Sequence, residues 1–237
     1  RDVTNAIAST IITIKIRMKL EGGVVLVTIW GMVKKIKTIY NPIIDDNISD
    51  SQWKPKAFCG QNYIVAVGRL NPQKNYLSLL RAYASLNEDH QCRLVILGSG
   101  SEKTKIQSAI NELRLQHRVL LLGYRPRPEI WMKRALVYVS ASNWEGLPGA
   151  TIQAINVGMP VVVTNCKGGI SDVTENGELA YLVRVGDEKE LAAKLEQAIE
   201  RAASGKYFPD EAKLKNWRKK FSIKSRVQDY YFALLPN

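Results

Sequence analysis

Trp144-Glu145-Gly146-Leu147-Pro148, followed by Gln153-Ala154-Ile155-Asn156-Val157-Gly158-Met159-Pro160 and then Val161-Val162-Val163, is the stretch that decides the fold. It reads as a short loop, a helix and a buried strand, because the polar and glycine residues come first and the β-branched apolar run comes last. A helix beginning at this loop turns its free N–H groups and the positive end of its dipole toward whatever anion lies there. A phosphate fits that description. Gln153 follows Glu145 by eight residues, two helical turns if the helix starts at the glutamate, so both polar groups can border one crevice.

A second segment points at the same crevice. Gly68-Arg69-Leu70-Asn71-Pro72-Gln73-Lys74-Asn75 comes directly after the apolar run Tyr63 to Val67. Two cations therefore stand at the carboxyl end of a buried strand, where open parallel sheets bind their ligands.

Strand and helix alternate along the rest of the chain. Short apolar runs bounded by turn residues predict strands over Tyr63–Val67, Arg93–Leu97, Val119–Leu122, Val137–Ser140, Val161–Thr164 and Tyr181–Val183. Helical patterns fall between and after them, over Tyr76–Leu86, Ser101–Leu115, Pro128–Ala135, Pro148–Val157, Asp187–Ala203, Asp210–Lys220 and Ser222–Leu235. That alternation predicts an α/β protein with a Rossmann-like, doubly wound parallel sheet.

Taken together, these segments resemble the carboxyl-terminal, donor-binding domain of the retaining GT-B glycosyltransferases of family 4 (group 1). Other landmarks stand in the family's order: Ile39-Tyr40-Asn41-Pro42 at the crossing from the amino-terminal domain, Gly98-Ser99-Gly100, Gly123-Tyr124, Gly168-Gly169 before Asp172, and Phe221-Ser222 before the last helix. The resemblance covers roughly residues 36 to 232 and implies the carboxyl-terminal half of a GT-B fold. It implies three parts: residues 1–40, a remnant of the amino-terminal acceptor domain and the crossing; residues 41–220, the nucleotide-sugar-binding domain; and residues 221–237, a helix returning toward the amino-terminal domain. Residues 1–35 are too few for a complete acceptor domain. The expectation there is a strand at Ala6-Ile7-Ala8-Ser9 and a helix running up to Gly31, within a truncated longer protein.

The resemblance also implies a reaction, the transfer of a sugar from a UDP- or GDP-sugar to an acceptor hydroxyl with retention, in the assembly of a surface polysaccharide or glycolipid. Glu145 matches the first glutamate of the family's pair and would accept hydrogen bonds from a donor-sugar hydroxyl. Arg69 and Lys74 match the cations that hold the diphosphate as the nucleotide leaves, and fixed cations are the main device for stabilising that charge without a metal. Gly68, Gly146, Leu147 and Pro148 would lend backbone to sugar and phosphate, and Tyr124 and Arg125 stand where the family places the nucleobase. Gln153 departs from the pattern: a second glutamate is usual there, and glutamine keeps an acceptor oxygen for the ribose but loses the charge. No metal and no other cofactor is implied, and an isolated donor half would not turn over. The other readings are a nucleotide-sugar epimerase of the same fold and a non-catalytic nucleotide-sugar-binding or scaffold domain.

Composition fits without selecting among these. The chain has 237 residues, 46% of them hydrophobic, and a formal charge of +12 from 34 Lys and Arg against 22 Asp and Glu. The excess favours polyanions, namely nucleic acid, phosphorylated substrate or acidic lipid such as the inner face of a membrane for a cytoplasmic protein. The resemblance, which implies saccharide or lipid-linked saccharide acceptors, adds to the membrane reading. Lys206, Lys213, Lys215, Arg218, Lys219, Lys220, Lys224 and Arg226, interleaved with Tyr207, Phe208, Trp217 and Phe221, form the basic region that suits such a surface. Nucleic acid is not expected, since no motif places these charges against bases. The apolar run from Val24 to Trp30 is far short of the roughly 20 residues that span a bilayer. Three cysteines, Cys59, Cys92 and Cys166, are odd in number and contain no CxxC pair, which suits reduced thiols. His90 and His117 lack partners at metal-ligand spacing and are expected on the surface, and Asp45-Asp46 reads as a solvated turn.

Overall fold

The computed structural model describes residues 16–20, 23–30, 33–44, 62–87, 92–205, 207 and 210–234, with side-chain surroundings from residue 39 to residue 231. Six parallel strands form the main sheet: β4 (Tyr63–Val67), β5 (Arg93–Leu97), β6 (Val119–Gly123), β7 (Val137–Ser140), β8 (Val161–Thr164) and β9 (Tyr181–Val183). Their order across the sheet is β6-β5-β4-β7-β8-β9. Counted from β4 this is 3-2-1-4-5-6, the doubly wound Rossmann order, in which the chain reverses direction between β4 and β7. The α/β Rossmann-like fold expected from the sequence is therefore the observed one.

Strand alternation divides the interior into two cores. Ile64, Ala66, Leu94, Ile96, Val137, Val139 and Val162 face the helices α1 (Tyr76–Ala84), α2 (Lys103–Glu112) and α6 (Glu188–Ala203). Tyr63, Val65, Val95, Leu97, Tyr138, Val161 and Val163 face α3 (Glu129–Met132), α4 (Gly149–Asn156), α5 (Ile170–Val173) and α7 (Glu211–Lys219). Successive side chains of a strand point to opposite faces, so a strand covered on both sides is apolar along its middle, and these strands carry their polar residues, Arg93, Ser140 and Thr164, at their ends. Burial of each such side chain contributes about 1.5–3 kcal/mol relative to exposure.

Helix ends follow local chemistry. Asp187 caps α6 by accepting from Glu190 N, and Asp210 caps α7 by accepting from Lys213 N. The observed helices stop one to three residues inside several expected ends. Arg114 adopts φ 57°, which terminates the turn after α2 before Leu115. The four-residue α5 was not anticipated, because Ile170–Val173 is too short to show a helical period.

The amino-terminal expectation is corrected. The described residues between 16 and 40 form no helix; they make an antiparallel sheet of β1 (Ile16–Leu20), β2 (Gly23–Trp30) and β3 (Val33–Tyr40) in the order β1-β2-β3. The pairings Leu20↔Gly23 and Trp30↔Val33 leave two residues between successive strands, the spacing of tight hairpins. β2 is rich in Val, Thr and Ile, whose branched Cβ atoms favour a pleated strand, and this outweighs any helical period. The strand expected at residues 6–9 and the turn at Asp45-Asp46 lie outside the described residues.

β3 leads into the main body beside α8 (Ile223–Leu234). Ile43 and Ile44 donate backbone hydrogen bonds to the Phe221 carbonyl, and Ile223 donates back to Ile44. The Tyr230 hydroxyl reaches Asn41 Oδ1 at 3.3 Å, and Tyr40 packs its ring on Phe221 at 5.3 Å between centroids. Asn41-Pro42 is thereby fixed against the start of the last helix.

Candidate functional site

Open α/β sheets bind ligands in the crevice outside the carboxyl ends of the strands where the winding reverses, here between β4 and β7, and the loops leaving those two strands are sewn together there. After β4, Asn71 caps a short 3-10 turn at Pro72–Lys74, and Asn75 takes the left-handed conformation at φ 45°, which asparagine tolerates better than most residues. From the β7 side, Asn143 N donates to the Gln73 carbonyl at 2.8 Å and Asn143 Nδ2 to the Pro72 carbonyl at 3.0 Å. Asn75 Nδ2 donates to Asn143 Oδ1 at 3.1 Å, and Gln73 Nε2 to the Trp144 carbonyl at 2.8 Å.

Glu145 sits at the centre of this clasp with 7% of its surface exposed. Lys74 Nζ lies 2.5 Å from Glu145 Oε1, Ser142 Oγ donates to the same oxygen at 2.6 Å, and Gln73 Nε2 approaches Oε2 at 3.4 Å. A buried carboxylate keeps its charge only when paired and hydrogen-bonded, and these contacts supply both conditions. Below it, burial holds the Tyr76 and Tyr138 phenols well above their usual range, and the Glu145 charge adds to the shift in each. The Tyr76 hydroxyl donates to the Gly68 carbonyl, anchoring the β4 loop.

Glycines permit the close approaches. A Cβ on Gly168, whose φ is +117°, would lie 1.5 Å from the Glu145 carbonyl oxygen, so no other residue fits beneath the Glu145 backbone. Glu145 N donates to the Lys167 carbonyl and Gly169 N to the Gly146 carbonyl, tying the loop to the residues after β8.

The helix after this loop starts one residue later than the expected Pro148. α4 begins at Gly149, so Glu145 belongs to the loop and Gln153 lies a single turn inside the helix, half-buried. The glutamate's own N–H is already occupied, which leaves the first turn of α4 as the dipole end nearest the crevice.

A family model described as glycosyl transferases group 1 matches residues 47–220. The chain belongs to that family. A Campylobacter jejuni N-acetylgalactosamine-N,N'-diacetylbacillosaminyl-diphospho-undecaprenol 4-alpha-N-acetylgalactosaminyltransferase is 33% identical over 180 residues, 76% of this chain and 48% of that protein. A Staphylococcus aureus poly(ribitol-phosphate) alpha-N-acetylglucosaminyltransferase is 29% identical over 178 residues, 74% of this chain and 36% of the relative. Among solved structures, S. aureus TarM in complex with fondaparinux, alpha-GlcNAc-glycerol and UDP superposes with a TM-score of 0.62 at 27% identity, covering 76% of this chain and 36% of that one. The chain spans half or less of the length of these relatives.

Within this group 1 fold the expected site residues divide. Gly68, Lys74, Glu145, Gly146, Leu147 and Pro148 are gathered around the crevice, with Arg69 exposed at its β4 edge. Tyr124 and Arg125 stand apart, at the end of the edge strand β6, two strands or about 10 Å from β4. Tyr124 is 70% exposed, and Arg125 Nη1 donates back to the Tyr124 carbonyl. Asp172 accepts from the Tyr40 hydroxyl at 3.2 Å, which joins the crossing segment to α5.

Sequence reasoning missed Gln73, Asn75, Ser142 and Asn143. They are ordinary polar loop residues, and only the juxtaposition of two loops 71 residues apart in the chain gives them partners.

The basic carboxyl-terminal region is largely compensated within the fold. Lys213 pairs with Glu178, Lys220 with Glu175, Arg218 with Glu211, and Arg226 with Asp229. Trp217 and Phe221 are core residues rather than surface aromatics, and Trp217 Nε1 donates to the Val173 carbonyl at 2.7 Å. Lys206 and Phe208 lie outside the described residues. Cys92 and Cys166 are buried free thiols and His117 is exposed, while Cys59 and His90 lie outside the described residues. Among the described residues no helix is long and apolar enough to cross a membrane.

Proposed function

We propose that this chain is the donor-binding half of a retaining family 4 glycosyltransferase that transfers a sugar from a UDP- or GDP-sugar to an acceptor hydroxyl during assembly of a surface polysaccharide or glycolipid. The observation that carries the reading is the Lys74–Glu145 pair, held rigidly at the winding reversal of the sheet with Arg69 exposed beside it. An anionic diphosphate suits the mouth of such a site, where a guanidinium can take two phosphate oxygens at once. Glu145 supplies an acceptor for a sugar hydroxyl, and the half-buried Gln153 supplies one for the ribose. Tyr124 and Arg125 border the region left for the base.

Charge develops on the diphosphate as the glycosidic bond breaks, and cations already in place stabilise it without reorganisation. On this reading the reaction needs no metal and no other cofactor. The named activities of the relatives support saccharide and lipid-linked saccharide acceptors. Lys215 and Lys219, exposed on α7, are the basic groups best placed to meet the anionic inner face of a membrane. The domain division follows the same reading, with residues 1–40 leading in from an acceptor domain and α8 returning toward it.

Calorimetric titration with UDP, GDP, ADP and their sugar conjugates tests the proposal. Preference for one nucleotide that is lost in Arg69→Ala and unchanged by EDTA is the expected result, with no turnover by residues 1–237 alone. Absence of nucleotide binding by the unaltered chain would reject it and favour a scaffold domain.

A further inference from the structure

Resting on the donor-site reading, the hydrogen-bond pattern around Glu145 assigns different tasks to its two oxygens. Oε1 receives Ser142 Oγ at 2.6 Å and Lys74 Nζ at 2.5 Å. Oε2 has one approach among the described residues, Gln73 Nε2 at 3.4 Å, which is long for a hydrogen bond. Ser142 is 1% exposed and has a single hydroxyl proton. An ionised carboxylate can only accept, so that proton points to Glu145. Ser140 Oγ, 2.9 Å from Ser142 Oγ, must then be the donor in the contact between the two serines. The order Ser140→Ser142→Glu145 is fixed by proton counting, and each bond polarises the next. The Ser142 backbone is held as well, its carbonyl accepting from Thr164 Oγ1 on β8 at 2.5 Å.

We infer that Ser142 is a positioning residue: at the head of this two-serine relay, it locks the rotation of the Glu145 carboxylate so that Oε2 keeps its lone pairs for a hydroxyl of the donor sugar. Lys74 alone does not fix that rotation, since a flexible ammonium can follow either oxygen, whereas a buried hydroxyl on the neighbouring backbone cannot. The ligand recognised through the relay is a glycosyl nucleotide with a free hydroxyl at the contacted carbon. The nucleotide portion lies outside its reach.

The test compares affinity for UDP and GDP with affinity for UDP-glucose, UDP-N-acetylglucosamine, UDP-N-acetylgalactosamine and GDP-mannose, in the unaltered chain, Ser142→Ala, Ser142→Thr and Ser140→Ala. In Ser142→Ala, nucleotide affinity is expected to stay within about twofold while the added affinity of the sugar conjugate falls about tenfold, the scale of one charge-assisted hydrogen bond. Ser142→Thr restores the increment because it returns the hydroxyl. Ser140→Ala lowers it about threefold through weaker polarisation, and because it leaves Glu145 untouched it serves if Ser142→Ala does not fold. An undiminished increment in the alanine variants overturns the inference, as does an equal loss for nucleotide and conjugate, which marks a purely structural role. If the unaltered chain binds nucleotide yet gains nothing from any sugar, this inference falls and the nucleotide site stands. If it binds neither, the donor-site reading itself falls.

Discussion

The Lys74 side chain runs directly across Gly68: a Cβ at Gly68 would lie 2.9 Å from Lys74 Cε and 3.2 Å from Cδ. The missing side chain at 68 is thus the channel by which Lys74 reaches Glu145 from the far side of its loop. Gly68→Ala is expected to push the lysine stem aside and lengthen the Lys74–Glu145 contact. Because the obstacle is a flexible stem, the stability cost stays near 1 kcal/mol, while nucleotide-sugar affinity drops about tenfold. Thermal melting and calorimetry on the same variant separate the two effects.

Removing either partner of the Lys74–Glu145 pair should have unequal consequences. Lys74→Met leaves a buried carboxylate with Ser142 and Gln73 but no cation, and the expected loss is about 2–3 kcal/mol, below the full cost of stranding a buried charge. Glu145→Gln leaves a lysine whose side chain is 17% exposed, against 7% for the glutamate, so water reaches the ammonium more readily and the cost should be smaller, about 1–2 kcal/mol. The double variant is expected to cost less than the sum, since the stranded charge disappears with Glu145. Urea unfolding of the three variants measures this, and strict additivity would show that the contact carries no coupling.

Much of this architecture is legible in the sequence, and the legible part has a common cause. The central strands of the main sheet are covered on both faces, so they are mostly apolar runs between turn residues, and five of the six expected strands match the observed bounds; β6 extends one residue further, to Gly123. Arg69 and Lys74 stand out in the sequence as cations following a buried strand and Glu145 through its resemblance to the family's motif, and the fold brings Lys74 and Glu145 into contact. The amino-terminal hairpins were misread because Ile16–Tyr40 mixes lysines with β-branched residues, so composition had to compete with a weak period. Ser142 and Asn143 were invisible for another reason: a serine gains meaning only from the carboxylate, three residues on, that folds back toward it.

Alkaline pH should weaken the fold in a defined window. Burial raises the Cys92 and Cys166 thiols from an ordinary value of 9.0 to about 11, and the Tyr63 phenol from 10.0 to about 12. For Cys166 the nearby Glu145 carboxylate adds to the rise. The folded state holds these protons more tightly than the unfolded chain. Their contribution is complete below pH 9 and is lost as pH climbs through 9 to 12, because only the unfolded chain ionises easily there. Denaturant midpoints measured from pH 7 to 11 should be flat up to about 9 and then fall. Cys92→Ala together with Cys166→Ala should flatten the onset, and both thiols should resist alkylation at pH 8 until the protein is unfolded.

Gln153→Glu probes the departure from the family pattern. Position 153 lies on the second turn of α4, half-buried, so neither helix propensity nor the dipole changes much on substitution. Two opposing effects decide nucleotide affinity. A carboxylate accepts ribose hydroxyls in charge-assisted bonds about twice as strong as those of an amide oxygen. It also adds a negative charge on the same side of the crevice as the diphosphate, a repulsion that Arg69 and the salt in solution largely screen. The first effect acts at hydrogen-bond distance and the second across several ångströms, so the net result should be a gain of about three- to tenfold in nucleotide affinity, larger at high salt. The same gain should appear for UDP and for its sugar conjugates, because the ribose is common to both. A gain confined to the sugar conjugates would place position 153 beside the sugar instead, and an unchanged affinity would remove it from the donor site.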